Sequence, residues 1–220
     1  AQVGALAAHS LTRYTRIKAT ASLDGLTGVL NKRFVSDHLA EKIRQDPGGQ
    51  RFSVFLFDLD HFKHYNDHNG HVAGDKLLRQ LARLVQENVR KEAVFGRFGG
   101  EEFLLILPGA SKKQALGAAE NLRCLIAGFD FAGAADQPLG CLSISGGVAE
   151  YPLDGQDAAS LIRRADEALY LAKHEGRNRV VAFVPTYLGL EGSEELAAGT
   201  RVLLPTDGGP RRGGTRDDAG

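Results

Sequence analysis

Four residues, Gly99-Gly100-Glu101-Glu102, separate two short apolar runs at 94–98 and 103–107. Only a tight turn fits between them, so the runs form a β-hairpin, with glycines where the turn needs positive φ. This hairpin constrains the fold most, because it sets two neighbouring strands in a sheet and places two carboxylates at their tip. The run 52–59, rich in Phe and Val and bounded by turn residues, reads as a further buried strand. It delivers Asp58 and Asp60 at its C-terminal end. If that strand lies beside the hairpin, three or four carboxylates converge at one end of the sheet.

The other elements follow from periodicity and capping. Val3, Leu6, Leu11, Tyr14 and Ile17 recur at roughly helical intervals, which predicts a leading helix over residues 2–22 before the turn at Asp24-Gly25. A helix is expected over 31–44, stopped by Asp46-Pro47-Gly48-Gly49. Leu77, Leu78, Leu81, Leu84, Val85 and Val89 mark one face of a strong amphipathic helix. Ser111 and Gln114 form a capping box for a helix to about Ala127, and Asp157 caps another to about His174. Strands are expected over 139–149 and 179–184. The resulting order is α+β, a central, mainly antiparallel sheet flanked by helices. From Pro185 onward, 36 residues hold eight of the 27 glycines and three of the seven prolines, which predicts a disordered tail.

Composition narrows the function classes. Lys+Arg and Asp+Glu both total 27, so no basic excess points to nucleic acid or a membrane surface. Polyphosphate handling must then come from a local site. No apolar run approaches the roughly 18 residues of a membrane span, and the first residues lack the basic stretch of a signal peptide. Cys124 and Cys141 lack metal-ligand spacing, and so few cysteines fit a reducing, cytoplasmic setting. The chain begins at Ala1 and contains no Met, which suggests a fragment whose upstream sensory or regulatory domain is missing.

A carboxylate cluster is costly through like-charge repulsion unless cations occupy it. Hard oxygen ligands suit Mg²⁺, which takes one or two carboxylates together with substrate phosphates. Lys173 and Arg177, one helical turn apart, can point cations at those phosphates. Gly99 and Gly100 lack side chains, so a nucleotide can lie against their backbone. Each feature also has an ordinary reading: a solvated strand end, a plain turn, a charged helix face. His61, His64, His68 and His71 raise zinc, but Gly70 interrupts their helix. An Asp-x-Asp strand end also occurs in haloacid-dehalogenase-type phosphatases and in glycosyltransferases. Phe62 stands where the phosphatase needs Thr or Val, and nothing else supports a sugar-nucleotide fold.

The run Arg97-Phe98-Gly99-Gly100-Glu101-Glu102-Phe103 resembles the motif that names the GGDEF diguanylate cyclases, in its active Gly-Gly-Glu-Glu-Phe variant. Four further stretches match that family in order: Asp24-x-Leu26-Thr27-Gly28-x-Leu30-Asn31, Phe57-Asp58-x-Asp60-x-Phe62-Lys63-x-x-Asn66-Asp67, Gly70-His71-x-x-Gly74-Asp75, and Asp166-x-Ala168-Leu169-Tyr170-x-Ala172-Lys173-x-x-Gly176-Arg177-Asn178. The resemblance covers about residues 22–184. It implies a fold like the nucleotidyl-cyclase and polymerase palm, and a domain spanning 23–184. It also implies condensation of two GTP molecules into cyclic di-GMP across a homodimer, each 3′-hydroxyl attacking the partner's α-phosphate.

By that resemblance Asp58, Glu101 and the backbone carbonyl of Leu59 ligate Mg²⁺, two ions per site, with Mn²⁺ as a substitute. Glu102 completes the acidic pair. Asn66 and Asp75 read the guanine edge, whose N1–H and exocyclic amine a carboxylate can accept. Phe62, Lys63, His71, Lys173 and Arg177 take ribose and phosphates, with Gly99 and Gly100 beneath the nucleotide. Two departures concern feedback. Family members with product inhibition carry Arg-x-x-Asp before the hairpin, whereas this chain has Arg90-Lys91-Glu92-Ala93; the second inhibitory arginine, expected after Ala119-Glu120, is replaced by Asn121. The inhibitory site is therefore expected to be degraded. The rival reading is a catalytically silent module acting as nucleotide receptor or dimerisation unit; such modules typically lose the hairpin glycines or acids, and all four are present.

Overall fold

Residues 22–185 are described by the computed structural model. The expected leading helix and the tail beyond Pro185 lie outside the described residues. Asn31 opens α1 (Lys32–Gln45), its side chain accepting from Phe34 N at 3.0 Å, and Val35, Leu39 and Ile43 bury one stripe at four-residue intervals. Then come β1 (Phe52–Leu59), α2 (Phe62–Asn69), α3 (His71–Asn88), β2 (Val94–Arg97), β3 (Glu102–Pro108), α4 (Lys112–Ala127), β4 (Ile144–Tyr151), α5 (Ala158–His174) and β5 (Val180–Ala182). The capping boxes read from Ser111–Gln114 and from Asp157 both close, the second with Ser160.

The five strands form one sheet in the order β2-β3-β1-β4-β5. Every pair is antiparallel except β4–β5, as the α+β reading expects. β1 is central and all eight of its residues are buried. Phe55, Phe57 and Leu59 enter one core with α3 and α4, while Phe52, Val54 and Leu56 enter a second core with α1 and α5. Burial on both faces explains why β1 reads as a continuous apolar run rather than an alternating one. Each such side chain contributes about 1.5–3 kcal/mol by leaving water, which fixes the frame that carries the site. At the centre of β4, a Cβ on Gly147 would sit 1.9 Å from the Ala165 carbonyl oxygen, so only glycine lets α5 lie this close.

One boundary differs from the sequence reading. The strand expected over 139–149 begins at Ile144, because Gly140 takes φ +70 in a turn closed by its own N–H on the Gln137 carbonyl. The break read at Gly70 is present: the segment after β1 forms two helices that meet there, and no β-carbon-bearing residue adopts its φ of 84 cheaply.

Candidate active site

The hairpin and β1 are neighbours, and Asp58 lies opposite Glu102 in their register. One residue on, Leu59 N donates to the Glu101 carbonyl at 3.3 Å, tying the hairpin tip to the end of β1. The tip is narrow: Phe98 N and Gly99 N both donate to the Glu102 carbonyl, at 2.7 and 3.1 Å. Arg97 braces it from the side. Its guanidinium donates to the Gly100 carbonyl at 2.6 and 3.1 Å and pairs with Asp24 at 3.1 Å. Asp24 also accepts from the backbone and hydroxyl of Thr27, at 2.9 and 2.6 Å. Burial pushes the Asp24 carboxyl up, but the hydrogen bonds from Thr27 and Arg97 outweigh it and hold the pKa below the ordinary value. Asp24 and Arg97 carried no role in the sequence reading beyond belonging to motifs; the pairing spans 73 positions, which local patterns cannot show.

Asp58, Glu101 and Glu102 lie within electrostatic reach of one another at the strand ends. Asp58 is 5% exposed, and burial pushes its carboxyl up to about 6. A hydrogen bond and ion pair from Lys173 pull it down, while Glu101 and Glu102 push it further up. Lys173, from the last turn of α5, places Nζ 2.9 Å from Asp58 Oδ1. Glu101 is raised as well, by burial and then by Glu102, against the pull of Lys173. At Gly99 a Cβ would lie 2.1 Å from Glu102 Oε2, so the Glu102 carboxylate lies over this half-buried glycine. Gly100 has nothing within 4 Å and is the open side of the turn.

Asp60 does not join the cluster, which corrects the reading of a fourth carboxylate there. It is buried and accepts from the Ser143 and Ser145 hydroxyls at 2.7 Å each and from Asn178 N at 3.0 Å. With three donors on its two oxygens, it faces the protein interior.

A second group of residues sits on α2 and α3. Phe62 is buried, its ring stacked toward Tyr65 with centroids 6.5 Å apart, while Lys63 is exposed. Asn66 Oδ1 is buried without a hydrogen-bond partner. It lies against Gly74, where a Cβ would come within 1.9 Å of it. Next to Gly74 stands Asp75, exposed, with exposed His71 one turn earlier. His64 and His68 stack their rings 5.4 Å apart. Among the described residues no three His, Cys, Asp or Glu side chains gather as a ready-made metal cage. For zinc such a cage is required; Mg²⁺ retains water and substrate oxygens and does without one. Arg177 follows α5 in a left-handed turn, φ 60, half-buried. Arg90 is exposed in the turn after α3, its carbonyl accepting from Ala93 N at 3.0 Å.

Comparison with known proteins places this geometry. Residues 21–179 match the family described as diguanylate cyclase, GGDEF domain. The response regulator PleD of Caulobacter vibrioides is 38% identical over 162 residues, covering 73% of this chain and 36% of its own length. Diguanylate cyclase DgcM of Escherichia coli K12 is 38% identical over 181 residues, covering 79% and 42%. The chain thus spans less than half the length of these curated relatives. A solved structure of the coiled coil and GGDEF domain of DgcB from Caulobacter crescentus, in complex with c-di-GMP, superimposes with a TM-score of 0.73 at 29% identity, over 82% of this chain and 95% of that one.

Proposed function

Because the chain belongs to the diguanylate cyclase GGDEF-domain family, we propose that it condenses two GTP molecules into cyclic di-GMP and two pyrophosphates. One observation carries the reading: Asp58, Glu101 and Glu102 lie within electrostatic reach of one another at the end of the central strands, with the Lys173 ammonium on Asp58. GGDEF diguanylate cyclases are metal-dependent in general, and the donor set here fits Mg²⁺. The oxygens of Asp58, Glu101 and the Leu59 carbonyl are hard, and the carboxyls raised by burial and by one another are groups that a divalent cation would hold ionised. Two Mg²⁺ ions, or Mn²⁺ on the same oxygens, would supply activation of the attacking hydroxyl and charge for the leaving pyrophosphate.

The residues of this chain do the rest. The orphaned Asn66 Oδ1 is an unused acceptor against Gly74, the residue before Asp75, and guanine offers N1–H and an exocyclic amine to acceptors of this kind. Gly74 keeps that edge free of a β-carbon. Lys63, His71, Lys173 and Arg177 hold the triphosphate, and Phe62 backs the ribose. Lys173 pairs with Asp58, and a bound phosphate would draw the ammonium toward itself. Gly100 presents bare backbone to the nucleotide, while Glu102, folded over Gly99, supports the metal site or the reacting hydroxyl.

Each site accommodates one GTP, so the reaction needs a homodimer, with each 3′-hydroxyl attacking the partner's α-phosphate. Residues 23–184 form the cyclase domain, and an upstream regulatory domain fits relatives of which this chain spans less than half. No helix among the described residues is long and apolar enough to cross a membrane. The test is incubation of purified protein with GTP and Mg²⁺, followed by chromatography. Cyclic di-GMP supports the reading; GTP binding without product identifies a silent receptor module instead.

A further inference from the structure

The Asp-x-Asp that closes β1 holds two aspartates of opposite use. Asp60 points inward, 3% exposed, and its two oxygens accept from Ser143 Oγ, Ser145 Oγ and Asn178 N. Its own N–H donates to the Ser143 carbonyl at 2.9 Å. The third of those donors belongs to a turn of unusual backbone. Gly176, Arg177 and Asn178 stand in succession at φ 108, 60 and 47. Two of the three carry side chains, and each such residue costs free energy that the surroundings must offset.

The turn is pinned from three sides. Arg177 N donates to the Ala172 carbonyl at 3.1 Å, closing the end of α5. Asn178 N is held by Asp60, and Asn178 Oδ1 accepts from Arg123 Nη1 of α4 at 2.6 Å. The Arg123 guanidinium is in turn fixed by Glu120, at 2.6 Å. Between these anchors, the Arg177 guanidinium makes no ion pair or hydrogen bond with any described residue. A backbone held this firmly around a side chain left free is the arrangement expected of a residue aimed at a ligand.

We propose that Asp60 is a positioning residue: it locks the left-handed turn 176–178 and so aims Arg177 at the triphosphate. The inference rests on the phosphate role given to Arg177 above. An arginine–phosphate contact is directional, so a turn free to relax would lose much of it. Asp60 keeps its acceptors in the interior rather than at the acidic cluster, and its removal affects the ground-state hold on the nucleotide before it affects the chemical step.

The experiment measures binding of α,β-methylene-GTP by calorimetry with Mg²⁺ present, on the whole chain, with thermal melts confirming folding. Asp60→Ala is expected to weaken binding about tenfold or more, the scale of one charge-assisted hydrogen bond. Asp60→Asn, which can still accept from Asn178 N through its amide oxygen, restores affinity to within a few-fold. In an Arg177→Ala background the Asp60→Ala change costs nothing further, because the residue it aims is gone. Should Asp60→Ala not fold, Asn178→Ala, on the half-buried turn, weakens binding in the same Arg177-dependent way. Equal losses with and without Arg177, or no loss at all, overturn the proposal alone. Unchanged affinity of Arg177→Ala overturns the phosphate assignment first, and the proposal with it.

Discussion

Replacing Asp58 by asparagine removes a charge that burial disfavours and should stabilise the protein. Asp58 is buried opposite Glu102, and its carboxyl is pushed from the ordinary 3.8 to about 6, chiefly by burial. A raised carboxyl pKa means that the folded state keeps its proton after the unfolded chain has lost it. Stability therefore falls as pH rises from about 4 to about 6 and levels off above. The full cost of ionising Asp58 in the fold is roughly 3 kcal/mol, at about 1.4 kcal/mol per pH unit. The amide of Asp58→Asn is neutral at every pH and keeps an oxygen for Lys173. The variant should match the wild type near pH 4 and exceed it by up to roughly 3 kcal/mol at pH 8, or about 6–12 °C in Tm for a domain of this size. Urea denaturation of both proteins at pH 4.5 and 8, with chelator present, reads this gap directly. Added Mg²⁺ should narrow it by stabilising only the charged form, and the variant should lose cyclase activity. A gap that does not grow with pH, or a variant that is weaker than wild type at pH 8, would refute the reasoning.

Further outcomes are expected. Glu101→Gln should leave the melting curve intact while lowering turnover by ~10²–10³, the usual cost of losing a central electrostatic group; activity within a few-fold of wild type removes Glu101 from the site. With Asn66 and Asp75 at the base edge, GTP should be preferred over ATP by roughly 10⁴ in kcat/KM, and similar yields of mixed product from equimolar nucleotides would contradict the assignment. Gly147→Ala drives a methyl toward the Ala165 carbonyl oxygen and should cost about 1–3 kcal/mol, as overpacking does, measurable by urea melts; an unchanged midpoint would mean that α5 shifts freely. Turnover per protomer should rise with protein concentration until dimers saturate, and added product should inhibit little through Arg90, given Ala93 and Asn121; a flat dilution series or strong non-competitive inhibition would contradict these two points.

Legibility from sequence tracked locality. The hairpin and β1 were plain because their apolar runs are short, continuous and bounded by turn residues, and the sheet buries β1 on both faces. The capping boxes were plain because all their atoms lie within four residues. The start of β4 was not: Leu139, Cys141 and Leu142 look like strand, but the left-handed Gly140 turns the chain before pairing begins. Asp60 was misread for a related reason. Two-residue periodicity puts it on the same face as Asp58, yet the ladder ends at Leu59 and the chain turns through His61 at φ 57. Its partners lie 83 to 118 positions away, beyond any local pattern. The Asp24–Arg97 brace was missed likewise.

These braces bear on why the acidic cluster stays charged. Arg97 is close in sequence to Glu101 and Glu102 and is the natural counter-ion, but its guanidinium is committed to the Gly100 carbonyl and Asp24. Arg123 is committed to Glu120 and Asn178, and Lys112 to Asp154 and the Phe183 carbonyl. Among the described residues, the fold thus leaves Asp58, Glu101 and Glu102 facing one cation, the Lys173 ammonium. A protein selected only for stability would let one of those arginines swing in, since an uncompensated buried carboxylate is costly. Holding Arg97 on the Gly100 carbonyl and Asp24, and Arg123 on Glu120 and Asn178, shapes the hairpin tip and leaves a surplus of negative charge for divalent cations to meet. The stabilisation predicted for Asp58→Asn and the metal dependence proposed for the reaction are therefore two readings of the same surplus. A variant that gains stability at pH 8 without weakening its response to Mg²⁺ would break that link.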